Sequence, residues 1–210
     1  MLFGYTVMSD NKILELNKVH AVSQSIIQRT KHAYAAYVCF PNDGNRHEII
    51  DGDHFMNPAP TPRHQTVSRL IQYQLMTQIE MKGRGFVFNA PTDVELAVHD
   101  IVQPDLIVVM SDRKSIIGSK KLKGIPNLLI EILSESNPDH DKVLKMEAYE
   151  RVDVPEYWIV DPEERTVHQF LLVSQKYILK GVHSNRVSPL TISDVVIDLE
   201  GIWAIRSETC

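Results

Sequence analysis

This sequence predicts an α/β or α+β domain with a central mixed β-sheet flanked by helices, and three observations lead there. Short apolar runs bounded by turn residues recur along the chain, as in "QPDLIVVMSD", "LLIEIL" and "EYWIVDP". Two other segments, "HQTVSRLIQYQLMTQIEMKG" and "NPDHDKVLKMEAYERVDVP", carry helical spacing instead. The resulting order of helix, several strands, helix and strand suits a sheet covered by helices.

Taken in order, the first three dozen residues mix apolar and polar positions and predict one or two helices. "FPNDGNRHEIIDGDHF" holds two turn signals around "HEII", which reads as a short strand bearing Glu48. After the Pro-rich "NPAPTPRH", a helix carries Val67, Leu70, Ile71, Leu75 and Ile79 on one face, and Gly83 and Gly85 stop it. "FVFNAPTDVELAV" predicts one or two strands, "QPDLIVVMSD" another and "LLIEIL" another. The second helix opens at Asn-Pro-Asp and closes before Pro155. "EYWIVDP", "TVHQFLLV", "KYILKGV" and "VVIDL" then read as strands of a meander, with Trp158 a packing residue.

The chain has 210 residues, enough for one well-packed domain, and no apolar run approaches the ~20 residues of a membrane-spanning helix. The opening "MLFGYTVMSDNK" lacks a basic start followed by a long apolar stretch, and Cys39 and Cys210 form no framework. A reducing cytoplasm is therefore expected. A net charge of −5 argues against a broad basic surface that grips nucleic acid non-specifically.

Chemistry enters with Glu131, a carboxylate set among Leu128, Leu129, Ile130, Ile132 and Leu133. Continuous apolar strands are covered on both faces, so this Glu is stripped of water and needs a partner. Asp105, in "QPDLIVVM", repeats the pattern. A single buried Glu more often belongs to a structural ion pair than to a reactive site. Two buried carboxylates on neighbouring strands shift the balance, because they cannot both ionise without a counter-charge. A divalent cation supplies one, and hard oxygen ligands suit Mg2+ or Mn2+.

The second helix offers a lysine. At about 100° per residue from Asp141, the apolar residues Leu144, Ala148, Tyr149 and Val152 share an arc that also contains Lys145. A lysine on a core-facing stripe is unusual unless its ammonium reaches a negative site. The plainer reading, a solvated Asp141–Lys145 pair, would be worth only about 0.3–0.5 kcal/mol.

"QPD" followed some two dozen residues later by "IEIL" resembles the PD-(D/E)XK nuclease superfamily, the restriction-endonuclease-like fold. In that superfamily the Asp and Glu bind the metal, and a Lys two residues after the Glu assists the attacking water. Here position 133 is Leu. The ordered segments "HEIIDGDHFMNPAPTPRHQ", "FNAPTDVEL", "VQPDLIVV", "GIPNLLIEILSESNPDHDKVLKMEAYERVDVPEYWIVDP" and "VSPLTISDVVIDLEGIW" resemble the bacterial Uma family of that superfamily more closely. Its members also lack the usual Lys and place an Asp, a Lys and a Tyr downstream at helical spacing, which match Asp141, Lys145 and Tyr149. An early acidic residue before a Gly matches Glu48 and Gly52.

The resemblance covers Tyr34 to near Trp203. It implies a nuclease domain over residues 34–210, with residues 1–33 as a helical extension or tail, and a homodimer. It further implies Mg2+ (or Mn2+) held by Asp105, Glu131, the Ile132 carbonyl and Glu48, with Lys145 acting on the water and DNA as substrate. Arg113, Lys114, Lys120, Lys121 and Lys123 form a basic loop with phosphate contact as one reading and a solvated loop as the other. His64 opens the first long helix and either lines the cleft or sits at the surface. Asp93 and Glu95 either join the acidic cluster or are exposed strand residues. His47, His54, His99, His140 and His168 have no zinc-like spacing. The competing class is a non-cleaving DNA-binding or protein-interaction module on the same fold, and RNA is an alternative substrate.

Overall fold

The computed structural model describes residues 31–41, 43–134 and 138–205, with the backbone alone for 138–142. The expected helices before residue 31 lie outside these residues. A single helical turn, α1 (Tyr34–Tyr37), leads into the hairpin of β1 (Arg46–Ile50) and β2 (Asp53–Asn57). Asp51 and Gly52, at φ 47° and 79°, supply the two left-handed residues of its two-residue turn, which Asp-Gly adopts at little cost. Helix α2 (Pro62–Leu75) starts with Pro62 in the first turn and Thr61 as cap, whose side chain accepts from the His64 amide at 3.2 Å. It continues as one π-helical stretch, Met76–Glu80.

Then come β3 (Gly85–Asn89), β4 (Val94–Ala97), β5 (Asp100–Val102), β6 (Leu106–Met110), a 3-10 turn at Ser111–Ile116, β7 (Leu122–Lys123) and β8 (Leu128–Ile132). Helix α3 (Pro138–Arg151) precedes β9 (Glu156–Asp161), β10 (Thr166–Val173) and β11 (Lys176–His183). The short strands β12 (Arg186–Val187) and β13 (Ile197–Asp198) and helix α4 (Leu199–Ala204) follow.

The strands form two larger sheets rather than one. A six-stranded sheet runs β11-β10-β9-β8-β6-β3, and a five-stranded sheet runs β2-β1-β5-β4-β7. In the first, only β8 and β9 are parallel, and a parallel neighbour needs a crossover, which α3 provides. The expected meander holds for β9, β10 and β11. "VVIDL" is a correction: its strand β13 pairs with β12 in a separate two-stranded sheet, and its Leu199 already begins α4. With only two residues free to pair, the apolar side chains of that segment pack beneath α2 instead of extending the meander.

Period-two alternation divides the core. Leu106, Val108, Leu128, Ile130, Trp158 and Val160 face α2, while Ile107, Val109, Leu129, Tyr157 and Ile159 face α3 with Ala148 and Tyr149. By that alternation Glu131 follows Leu129 onto the α3 face. Among the described residues no helix is long and apolar enough to cross a membrane.

Candidate active site

Glu131 is buried at the end of β8, and its Oε1 accepts from Lys145 Nζ at 3.0 Å and from Tyr149 Oη at 2.6 Å. Both donors come from α3 four residues apart, so they stand one above the other on its core-facing side. Lys145 Nζ also lies 3.2 Å from Glu48 Oε1 on β1. Glu48 has other partners as well, since Oε1 accepts from the Gln103 amide at 2.6 Å and Oε2 from Asn57 Nδ2 at 2.5 Å.

Asp105 sits immediately before β6, one step beyond the Leu106–Ile130 pair, which brings it alongside Glu131. Its Oδ1 accepts from Arg46 Nη1 at 2.9 Å. Its Oδ2 accepts from the Ile132 amide and His64 Nε2, each at 2.9 Å. An ionised Asp105 only accepts, so His64 carries its proton on Nε2. Asp105, Glu131, Ile132, Leu133, His64, Arg46 and Lys145 line one partly open pocket of about 50 Å³. Glu48 does not line it, standing behind Lys145.

The electrostatics follow from burial and from a charge imbalance of three carboxylates against two permanent cations. Burial, with the negative charges of Asp105 and Glu48, pushes the Glu131 carboxyl up to about 7 despite Lys145 and Tyr149. Burial also works to raise Asp105, but the hydrogen bond and charge of His64, then Arg46 and Lys145, outweigh it and hold it at about 2. Lys145 is raised in spite of burial because Glu131, Glu48 and Asp105 favour its charged form. Burial and Glu131 push the Tyr149 phenol well above its usual range, so it remains a donor.

Among the described residues no three His, Cys, Asp or Glu side chains form a ready metal cage. Magnesium needs less than that: one or two carboxylates, several waters and the phosphates of a substrate. The donor set fits this requirement. Glu131 Oε2 has no hydrogen-bond donor among the described residues, and Asp105 keeps one of its roughly four acceptor positions. The bond from the Ile132 amide to Asp105 leaves the Ile132 carbonyl, the expected metal ligand, unaffected.

Other expected residues lie elsewhere. Lys121 and Lys123 both pair with Glu95, Lys123 at 3.2 Å, and Lys121 stands over the Tyr34 ring. Lys120 is exposed beside them, in the wall of a different cavity. Glu95 is therefore neither in the acidic cluster nor a free surface group, and Asp93 accepts from Tyr37 Oη at 2.6 Å and Gln103 Nε2 at 2.8 Å. Arg113 donates to the carbonyls of Ile125 and Pro126. His47 and His54 stack on each other across the first hairpin. The Asp141 side chain lies outside the described residues.

Arg46 and Asn57 escaped the sequence reading. Arg46 had a signal, because "RHE" puts it two residues before Glu48 and so on the same strand face. Asn57 reaches Glu48 only through the hairpin register that pairs it with Arg46, which no local pattern reveals.

A family model, Uma2, described as "Putative restriction endonuclease", matches residues 34–200. A solved structure from Anabaena variabilis, described as a "putative nuclease belonging to DUF820", superposes with a TM-score of 0.68 at 17% identity. The match covers 82% of this chain and 97% of that one. At that identity the likeness shows the fold. No curated protein matches the chain.

Proposed function

The chain belongs to the Uma2 family, and on that premise we propose that it is an endonuclease that uses Mg2+ or Mn2+ to hydrolyse phosphodiester bonds in DNA. One observation carries the reading: Lys145 meets Glu131 beside Asp105 in a pocket that two apolar strands and a helix converge to build. A protein that only used the fold as a scaffold would gain more stability from apolar residues of similar volume at these positions.

Asp105 and Glu131 would hold the ion, which when bound lowers the pKa of a coordinated water and offsets charge on the phosphate. Lys145 stays an ammonium at neutral pH, so it is not the base. It donates, orienting the attacking water and stabilising negative charge where the water loses its proton. Reaching the site from α3, it occupies the place beside Glu131 that Leu133 leaves without a charge. Tyr149 fixes the Glu131 carboxylate by its hydrogen bond to Oε1. Glu48 acts through Lys145, holding the ammonium between two carboxylates. His64 and the Ile132 amide fix Asp105.

The division into a 34–210 nuclease domain and an N-terminal extension, and a homodimeric state, belong to the same proposal through the family resemblance. Lys120, exposed and in no ion pair among the described residues, remains a basic-loop candidate for contact with DNA.

The test is incubation of the full chain with supercoiled plasmid, linear duplex, single-stranded DNA and RNA in Mn2+ or Mg2+. Nicking or linearisation of DNA that disappears with EDTA and in Glu131→Gln supports the reading. Cleavage unchanged in Glu131→Gln refutes the site. Metal binding without cleavage of any of these substrates would favour the non-cleaving DNA-binding or protein-interaction module.

A further inference from the structure

Arg46 is the cation in the pocket wall that the mechanism above leaves without a task. A guanidinium presents five N–H donors in a rigid fork. Arg46 uses one end of it, Nη1, on Asp105 Oδ1, and among the described residues no other acceptor meets the group. Its Nε–H is buried and has no hydrogen-bond partner. Asp105 therefore orients the fork and leaves the edge formed by Nε and Nη2 without an acceptor. Arg46 also lines the same small cavity as Asp105, Glu131 and Lys145.

A mere counter-charge for Asp105 would not need that edge, because a single bond from a lysine would serve. A buried charged donor without an acceptor is costly, and the group that relieves it must be anionic or at least an acceptor. Nε and Nη2 present two parallel N–H bonds, the spacing that matches two oxygens on one phosphorus. The second orphaned nitrogen in this wall, His64 Nδ1, belongs to a ring already bound to Asp105 through Nε2, and it offers a single site rather than the two-pronged edge of Arg46.

We infer that the Nε–Nη2 edge of Arg46 holds the two non-bridging oxygens of the phosphodiester under attack. The inference rests on the nuclease reading and adds its substrate-holding residue. Arg46 thereby ties the position of the phosphate to that of Asp105, since one planar group bonds both.

The test is a titration of dimethyl phosphate, a minimal phosphodiester, into the full-length 15N-labelled protein, with Mg2+ and again with EDTA. The readout is the Arg46 Nε–H resonance, identified by its loss in Arg46→Lys. The expected result is a saturable shift of that resonance, with affinity for dimethyl phosphate falling at least tenfold in Arg46→Lys. Backbone spectra verify that the variant is folded. Binding that leaves the resonance still, equal affinity in Arg46→Lys, or no saturable binding under either condition overturns the inference. Calorimetry of Mg2+ with the wild type and Glu131→Gln separates this failure from that of the nuclease reading. Metal bound through Glu131 with Arg46 silent removes only the role of Arg46, whereas no metal binding removes the metal-dependent reading itself.

Discussion

Lys145 Nζ lies 3.0 Å from Glu131 Oε1 and 3.2 Å from Glu48 Oε1, so one ammonium on α3 joins carboxylates from both large sheets. Two buried negative charges depend on it, and the consequences of removing each member are unequal. Lys145→Met leaves both carboxylates without their cation and should cost about 3–5 kcal/mol in urea unfolding. Glu131→Gln should cost less, because Lys145 keeps Glu48. Under conditions where both remain folded, Lys145→Met should lower turnover about 100-fold or more and weaken metal binding far less. Equal losses of turnover and of metal affinity would assign Lys145 a structural role.

The pH dependence of the metal-free protein has a definite sign. The folded-state Glu131 carboxyl is raised from 4.5 to about 7. The folded state thus binds this proton more tightly than the unfolded chain does. Its contribution is complete below about pH 4.5 and is lost as pH rises through 7, an effect on the order of 3 kcal/mol at ~1.4 per unit. Asp105, held at about 2, acts oppositely, contributing above about pH 4 and losing its effect as pH falls toward 2. Thermal unfolding in EDTA should therefore show stability falling between pH 5 and 7.5 in the wild type but not in Glu131→Gln. Parallel profiles would contradict the burial argument.

Tyr149→Phe removes one hydrogen bond to the Glu131 carboxylate and nothing else in the pocket wall. Hydrogen bonds to charged groups contribute about 1.5–3 kcal/mol, and this one favours the ionised form. The variant should be less stable at neutral pH, and its metal binding should require a higher pH, since a ligand must lose its proton to bind. Calorimetric affinity measured against pH would show the displacement, and an unmoved profile would mean that Tyr149 only packs.

Glu156 offers a control outside the site. It is fully buried and accepts from Trp158 Nε1 and Gln169 Nε2 at 2.7 Å, and from the Leu190 and Thr191 amides and Thr191 Oγ1 at 2.8 Å. All five donors are neutral, so this carboxylate pins the segment after β12 rather than awaiting a cation. Glu156→Ala should destabilise by about 3 kcal/mol or more, because it strands several buried donors at once. Metal affinity of the folded fraction should stay within twofold. A selective loss of metal binding with stability intact would reverse these roles.

These residues also mark what a sequence reveals. Glu131 was legible because it interrupts an apolar strand, and Lys145 because it interrupts the apolar arc of a helix. Asp105 opens its strand after a proline, and it was the ordered pair of "QPD" and "IEIL" that marked it. Glu156 was missed because it stands at the edge of "EYWIVD", where a polar residue breaks no pattern. Asn57 and Gln103 reach Glu48 through a hairpin register and a loop amide, and such long-range pairings leave no periodic trace. The main strands and both long helices followed from periodicity. Strands of two or three residues, such as β5, β7 and β12, were invisible because so short a segment has no measurable period. The basic loop looked free by composition, yet Glu95 engages two of its lysines across the parallel β4–β7 pair.

A manganese titration followed by calorimetry, comparing the wild type with Glu131→Gln, tests the central claim most directly because it needs no knowledge of the DNA target. Saturable binding by the wild type, lost in a mutant that remains folded, is the predicted result. Equal binding by both proteins, or none by either with a duplex present to supply phosphate ligands, would contradict a metal site at Asp105 and Glu131.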